Sequence, residues 1–485
     1  MPYLEMVVFN FFKPNTLMQR KQSKDLKMQL TTHQQKSFND IVNVIEDNLF
    51  TFYKSKSLSE RLLSLTGPAG TGKSVVTTKI VKYIVDKLRS QNSFTSESVV
   101  VTAPTHKATK VLRDLLISNN IQADCKTIHS FLKIEPLYNY EKGEEKFTVA
   151  RGKQTPSTAS LLIIDESSMI GHELFKLIME TVTTGRVNSI LFIGDPFQLL
   201  PVDNNDDNEV FKLEKQFQLS EIVRQAKESS IITLATKIRE MIDTGEFGDL
   251  NTLLKGSESH EIELFESREE FLKDFYKNEG WYKEDKIISS FSNKQVDTFN
   301  TDIRRQYWKE HGVDGPDYFL PNDILRFKSA LIENGLFKDN NRTIYNNNEE
   351  VMIKTAKFFF NKDMSLKYWI CTIVGRKNKD FIRIIDPDSE LLFNKKLENL
   401  ANLARNAKYP YNEQFWKDYY KLKNAFANVQ YSFASTIHKL QGSTYDVAYA
   451  DFASIINNKM LTNDEKFRLV YVAITRARSK VKILY

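Results

Sequence analysis

Eight consecutive residues constrain this chain more than any others: Gly67, Pro68, Ala69, Gly70, Thr71, Gly72, Lys73 and Ser74. They follow a β-type run over 61–66 (RLLSLT) and precede a stretch that reads as helix from Lys73 to Leu88. The segment matches G-x-x-x-x-G-K-[ST] in the strand–turn–helix setting that the pattern requires. Glycines at this spacing let backbone N–H groups curl round phosphate oxygens, and the helix N-terminus adds its partial positive charge. Lys73 can reach the outer phosphates of a nucleoside triphosphate, and Ser74 can ligate Mg2+. A chance glycine-rich turn would not need the Lys-Ser pair.

Three further runs, 97–102 (ESVVVT), 160–164 (SLLII) and 189–193 (SILFI), are almost continuously apolar. Such runs suit strands buried on both faces of a parallel sheet, and they alternate with helical stretches, so the fold class is α/β, doubly wound. Each strand ends in a polar cluster: GPAGTGKS, APTHKAT (103–109), DESS (165–168) and GDPFQLLPV (194–202). Four such clusters converge on the carboxyl edge of one sheet, where open α/β sheets bind ligands. Asp165 is expected to hold the Mg2+ shell and Glu166 to polarise the attacking water. Gln198 can hydrogen-bond that water or the terminal phosphate. Hydrolysis is therefore expected, beyond binding alone.

The rest of the 485 residues fits this frame. Strand candidates at 286–290, 431–434, 447–451 and 481–485 form a second α/β region, split by a β-type stretch with runs at 349–354, 368–374 and 381–385. The division reads as an N-terminal extension over 1–28, a first α/β domain over 29–203, a second over 204–315 and 429–485, and a small β insert over 316–428. A β-hairpin is expected at about 134–155, where a Gly-containing polar turn separates two β-type runs. The net charge of +6 is only mildly basic and permits nucleic-acid binding without demanding it. Cys125 and Cys371 are the only cysteines, which excludes a disulfide framework and argues against a Cys-rich zinc site. A reducing, cytoplasmic setting follows. No apolar run approaches the ~18 residues of a membrane span, and the start lacks the features of a signal peptide.

In order along the chain, GPAGTGKS, APTHKAT, DESS, GDPFQLLPV, STIHKLQGSTYD (435–446) and YVAITRAR (471–478) resemble the helicase motifs of superfamily 1. IHKLQGST, together with TIHS at 127–130, is similar to the B branch, which holds RecD-like, Pif-type and Dda-type enzymes, and the layout of roughly residues 29–485 resembles the Dda type. The resemblance implies two RecA-like domains, a hairpin insert in the first and a small SH3-like β-barrel in the second. It implies an ATP-dependent DNA helicase and single-strand translocase moving 5′ to 3′. The implied partners are single-stranded and fork DNA with a single-stranded-DNA-binding protein, for a monomer in the cytoplasm, the host's if the chain is phage-encoded.

Residue by residue, LTTHQ (30–34) looks like the motif in which Gln34 reads adenine, and Gly442 joins the nucleotide site. QLSEIVRQ (218–225) resembles the motif that supplies Arg224 to the terminal phosphate, and YVAITRAR supplies Arg476. Guanidinium groups there would stabilise the charge of phosphoryl transfer. DNA contacts are expected from Pro104, Thr105, His106, Lys107, Thr127 and His129 in the first domain. In the second they come from Ser292, Asn293, Lys294, Thr436, His438 and Lys439. Tyr138, Tyr140 and Phe147 of the hairpin are expected to part the strands by stacking on the last base pair. A superfamily 1 RNA helicase of viral type and a nucleotide-switched remodelling factor remain as alternatives; a pure switch would have no use for Glu166, Gln198 and two arginines.

Overall fold

Three blocks of chain build the molecule, which is known as a computed structural model. It describes residues 29–51, 56–95, 97–139, 144–149, 157–201, 208–222, 229–313, 318–333, 342–347, 349–374 and 381–485.

The first block opens with helix α1 (Thr32–Phe50), strand β1 (Leu62–Thr66), α2 (Lys73–Ser90), β2 (Val99–Ala103), α3 (His106–Ser118) and β3 (Asp124–Thr127). An antiparallel pair follows, β4 (Ile134–Asn139) and β5 (Glu144–Val149), then β6 (Ala159–Ile164), β7 (Val187–Gly194) and β8 (Lys215–Gln218). Six strands form one sheet in the order β3-β2-β6-β7-β1-β8, every pair parallel. The all-apolar strands are explained by two separate cores. Leu63, Leu65 and Val101 meet Ile41 of α1 and Ile80 of α2 on one face. Leu62, Leu162 and Phe192 meet Ile178 and Val182 on the other. The boundary expected at 203 is corrected, because β8 pairs with β1 and extends this sheet. Its sequence, KQFQ, carries one apolar residue; as an edge strand that is largely exposed it needs no more.

The second block is a five-stranded parallel sheet in the order β18-β10-β19-β20-β9. Its members are β9 (Ile262–Phe265), β10 (Lys286–Ser290), β18 (Ala434–Thr436), β19 (Tyr445–Asp451) and β20 (Ala477–Leu484). Helix α4 (Asn293–Glu310) follows β10, and α7 (Asn463–Ile474) precedes β20.

Between α4 and β18 lies the insert. It holds β11 (Ile324–Phe327), β12 (Leu331–Glu333), β13 (Arg342–Tyr345), β14 (Glu350–Asn361), β15 (Leu366–Ile373), β16 (Phe381–Ile385) and β17 (Val429–Tyr431). Two helices, α5 (Pro387–Asn406) and α6 (Tyr411–Lys423), separate β16 from β17. The main sheet runs β16-β15-β14-β11-β17 and is antiparallel. The edge strands β16 and β17 share no ladder among the described residues, but the Ala427 N–H, two residues before β17, donates to the Arg383 carbonyl of β16 at 2.7 Å and draws the two edges of the sheet together. One expectation is corrected here. The strand expected at 431–434 is two strands: Tyr431 pairs with Leu325 of the insert, and Ala434 pairs with Ile288 of the second motor sheet. The helical pair was also not foreseen. Asp386 caps α5 by accepting from the Asp388 N–H, Pro387 sits in the first turn, and Ala401 and Ala404 pack on Trp416 and Tyr420.

The insert is fastened to the second motor domain by a buried ion pair. Arg304 of α4 donates to Asp323 at 2.9 Å, the Trp308 indole N–H donates to the same carboxylate at 3.2 Å, and the guanidinium lies 4.7 Å from the Tyr431 ring centre. With the Leu320 N–H, which donates to Asp323 at 2.9 Å, three donors on one carboxylate satisfy a charge that would otherwise be costly to bury.

Candidate active site

The glycine-rich loop leaves β1 and enters α2 at Lys73. Gly70 and Gly72 have φ of +88° and +82°, values that L side chains rarely adopt. Lys73 folds over the loop, its ammonium donating to the Gly67 carbonyl and, at 3.1 Å, to the Pro68 carbonyl. Thr71 is buried beneath and Ser74 is exposed at the helix start. Gln34 is buried behind the loop. It completes a capping box with Thr31, accepting from the Thr31 N–H at 3.1 Å, and its amide donates to the Thr71 carbonyl at 2.9 Å. One end of the Gln34 amide thus caps α1 and the other braces the phosphate loop, which places beside that loop the residue that the resemblance expects to read adenine.

At the end of β6, Asp165 accepts from the Glu166 N–H at 2.9 Å. Burial first, and the Glu166 carboxylate second, push the Asp165 carboxyl up, while that N–H and Lys73 pull it down. Glu166 has φ of +53°, a strained value for a side chain of this size that is found mostly at functional sites. Its neighbour Ser167 fits only because Gly194 of β7 lacks a side chain: a Cβ there would stand 2.6 Å from the Ser167 hydroxyl. Gln198 is buried, and its Oε1 has no partner among the described residues, so it keeps an acceptor to offer within the site.

The second motor domain closes against this surface. Arg476 follows α7 and is buried; its guanidinium donates to the Val472 carbonyl at 2.9 Å, the Ser443 carbonyl at 3.2 Å and the Thr475 hydroxyl at 3.1 Å. Burial lowers its pKa, and the charge of Glu166 is the foremost influence opposing that shift. Two residues 310 positions apart thus share one electrostatic environment. Arg224 lies outside the described residues. Gly442, at φ +70°, abuts the first domain: a Cβ there would stand 3.2 Å from the Ala108 Cβ and 3.4 Å from Glu166 Oε1. Gly442→Ala is expected to strain the turn and to crowd Glu166, lowering turnover roughly tenfold; steady-state ATPase measurements at saturating ATP check this.

The expected DNA contacts gather at helix starts. Thr105 caps α3 by accepting from the Ala108 N–H, Thr127 caps a short helix by accepting from Ser130, and Ser292 caps α4 by accepting from Gln295. Each capping hydroxyl can still donate, and the helix N-termini add amide donors for phosphates. His106, His129, Asn293 and Lys294 are exposed, Pro104 and His438 half-buried, and Thr436 buried at the end of β18. Lys439 is half-buried; burial, Lys328 and Arg326 lower its pKa and Asp297 raises it. Lys107 has another engagement, bonding the Tyr445 hydroxyl of the second domain with its ammonium 4.5 Å from that ring's centre. The hairpin is present as backbone, pairing Tyr138 with Glu145 and Pro136 with Phe147; Tyr140 and the side chains of Tyr138 and Phe147 lie outside the described residues.

Sequence reasoning missed the residues that join the domains: Asp195, Tyr445, Arg468 and Tyr471. Asp195 and Tyr471 lie inside GDPFQLLPV and YVAITRAR, which was the available signal; Arg468 carried none.

Residues 54–252 match the family model described as an AAA domain, and residues 431–484 match that of the UvrD-like helicase C-terminal domain. The chain is 28% identical to the ATP-dependent DNA helicase dda of Enterobacteria phage T4, over 93% of this chain and 98% of that one. It is 24% identical to the ATP-dependent DNA helicase Pif1 of Campylobacter jejuni, over 85% and 86%.

Proposed function

We propose that this chain, a member of the Dda- and Pif1-like superfamily 1B helicases, is an ATP-driven DNA helicase that translocates 5′ to 3′ on a single strand. The observation that carries the reading is the closure of the second motor domain on the phosphate loop and carboxylates of the first: a Cβ on Gly442 would stand 3.4 Å from Glu166 Oε1, and the Tyr471 hydroxyl donates to Asp195 at 2.7 Å and accepts from the Ala69 N–H at 3.4 Å. A site split in this way is complete only when the domains are together, so nucleotide turnover and domain movement are one process. The glycine-rich loop and Lys73 bind the phosphates of ATP. Ser74 and Asp165 supply the oxygen ligands suited to Mg2+, a hard cation that neutralises phosphate charge when bound. Glu166 takes the proton of the attacking water, Gln198 orients that water, and Arg476 and Arg224 stabilise the charge on the transferred phosphoryl group.

Both motor sheets present capped helix starts and basic or polar side chains at their carboxyl edges, so both can hold the phosphates of one strand. Alternate loosening of one domain at each turnover then advances the protein. The working unit is a monomer in the cytoplasm, with a single-stranded-DNA-binding protein as its partner on the displaced strand. Unwinding of matched duplexes bearing a 5′ or a 3′ tail, in DNA and in RNA, tests the reading. Opening of the 5′-tailed DNA duplex alone is expected; a preference for the 3′ tail or for RNA would reverse the polarity or replace the substrate.

The hairpin β4–β5 leaves the first domain directly after Thr127 and the short helix holding His129, at the proposed strand track. Stacking of a base on an aromatic ring contributes about 1–3 kcal/mol, comparable to the ~1.4 kcal/mol of one DNA stacking step. Tyr138, Tyr140 and Phe147 can therefore offset the opening of one base pair. Replacing residues 138–148 with a short Gly-Ser turn is expected to leave DNA-stimulated ATPase and streptavidin displacement from single strands intact while duplex unwinding collapses. Joint loss of all three would assign the hairpin a folding role.

A further inference from the structure

The loop after β7 carries Gln198, and the second motor domain grips it at several points. Arg468 of α7 donates to the Pro196 carbonyl at 2.8 Å and to the Gln198 carbonyl at 2.9 Å, and is itself held by Asp464 at 2.7 Å. The Gln441 amide reaches the Leu199 carbonyl at 3.5 Å. One turn beyond Arg468 in α7 stands Tyr471, whose ring is buried. Its hydroxyl donates to Asp195 Oδ2 at 2.7 Å and accepts, at 3.4 Å, from the N–H of Ala69 in the phosphate loop. Asp195 is wholly buried and forms no ion pair among the described residues; its other oxygen accepts from the Phe197 N–H at 3.1 Å. The Tyr471 hydroxyl is thus one of two donors that hold a buried carboxylate at the root of the Gln198 loop.

We propose that Tyr471 is a positioning residue that couples the phosphate loop to the second motor domain. One hydroxyl ties together three parts of the site: the phosphate loop through Ala69, the Gln198 loop through Asp195, and the helix α7 that leads into Arg476. The two bonds are unequal. A 2.7 Å bond from a hydroxyl to a carboxylate is strong, whereas a 3.4 Å amide contact is near the limit of a hydrogen bond. A phosphate oxygen can therefore take the Ala69 amide from Tyr471 at little cost, while the tie to Asp195 persists. Phosphate binding then changes what α7 rests on without releasing the Gln198 loop, and α7 is the element that sets Arg476. The proposal rests on the split-site reading above.

Tyr471→Phe keeps the buried ring and removes only the hydroxyl. Loss of a hydrogen bond to a charged group predicts a fall of about tenfold or more in kcat at saturating single-stranded DNA, with KM for ATP changed less than about threefold. The decisive readout is the ratio of single-stranded DNA affinities with and without a non-hydrolysable ATP analogue. In the wild type this ratio should depart from one, and Tyr471→Phe should bring it towards one, because the coupling between the two ligands is lost. Asp195→Asn retains an oxygen that can accept from Tyr471, so it should lie closer to wild type in both quantities. A Tyr471→Phe protein with wild-type kcat and affinity ratio overturns the proposal. So does a fall in kcat with the ratio unchanged, which would mark a merely structural role, or an Asp195→Asn defect larger than that of Tyr471→Phe. A wild-type ATPase indifferent to DNA would instead overturn the split-site reading, and the proposal with it.

Discussion

Glu166→Gln is expected to lower ATP turnover by about two to four orders of magnitude while leaving ATP bound. The substitution preserves size and hydrogen-bonding reach and removes one capacity, that of accepting the proton of the attacking water. Phosphate binding depends on the glycine-rich loop and Lys73, which Glu166 does not touch through any side-chain hydrogen bond among the described residues. The backbone geometry should also survive, since the Glu166 N–H, not its side chain, bonds Asp165. Removing the Glu166 charge takes away one of the two effects that raise the Asp165 carboxyl pKa, so the metal-binding carboxylate should be no harder to ionise. Lys73→Ala should behave differently, weakening ATP binding and turnover together. Equilibrium binding of a fluorescent ATP analogue beside steady-state ATPase separates the two. Near-normal turnover in Glu166→Gln would remove Glu166 from the role of base.

The motor sheets were readable because burial on both faces demands continuous apolar strands. β2, β6 and β7 lie within two residues of their expected bounds for that reason. The ligand edge was equally legible, since phosphate chemistry imposes fixed residue types on the turns after those strands. What escaped lacked such demands. β8 is an exposed edge with a single apolar residue. The α5–α6 pair sits in a Lys- and Asn-rich stretch whose helical periodicity was hidden by exposed Leu391 and Leu403. The interdomain contacts of Tyr471 and Arg468 depend on residues about 270 to 400 positions away, and no local pattern encodes such a pairing. Gln34 shows a different limit. Its place beside the phosphate loop was expected, but which of its possible partners it bonds is decided by the capping box at Thr31.

Arg476→Ala should abolish DNA-stimulated hydrolysis, by a factor of about 10³ or more, with ATP affinity comparatively preserved. The guanidinium is held by the carbonyls of Val472 and Ser443 and by the Thr475 hydroxyl, so its charge is positioned before any phosphoryl group moves. Such preorganisation acts on charge that develops in the transition state and contributes little to ground-state binding. Arg476→Lys is the sharper test. It keeps a positive charge but loses the planar fork, so it cannot satisfy the same three acceptors and still reach a phosphate. Turnover in Arg476→Lys should therefore remain close to that of Arg476→Ala. Removing a buried cation could also weaken the fold, which single-stranded DNA binding without nucleotide and the thermal unfolding midpoint would reveal. Because Arg476 belongs to the second domain, its loss should also leave basal, DNA-independent hydrolysis less affected than the stimulated rate. An Arg476→Ala protein that hydrolysed ATP normally on single-stranded DNA would show that the first motor domain is catalytically complete by itself, and the split site would have to be abandoned.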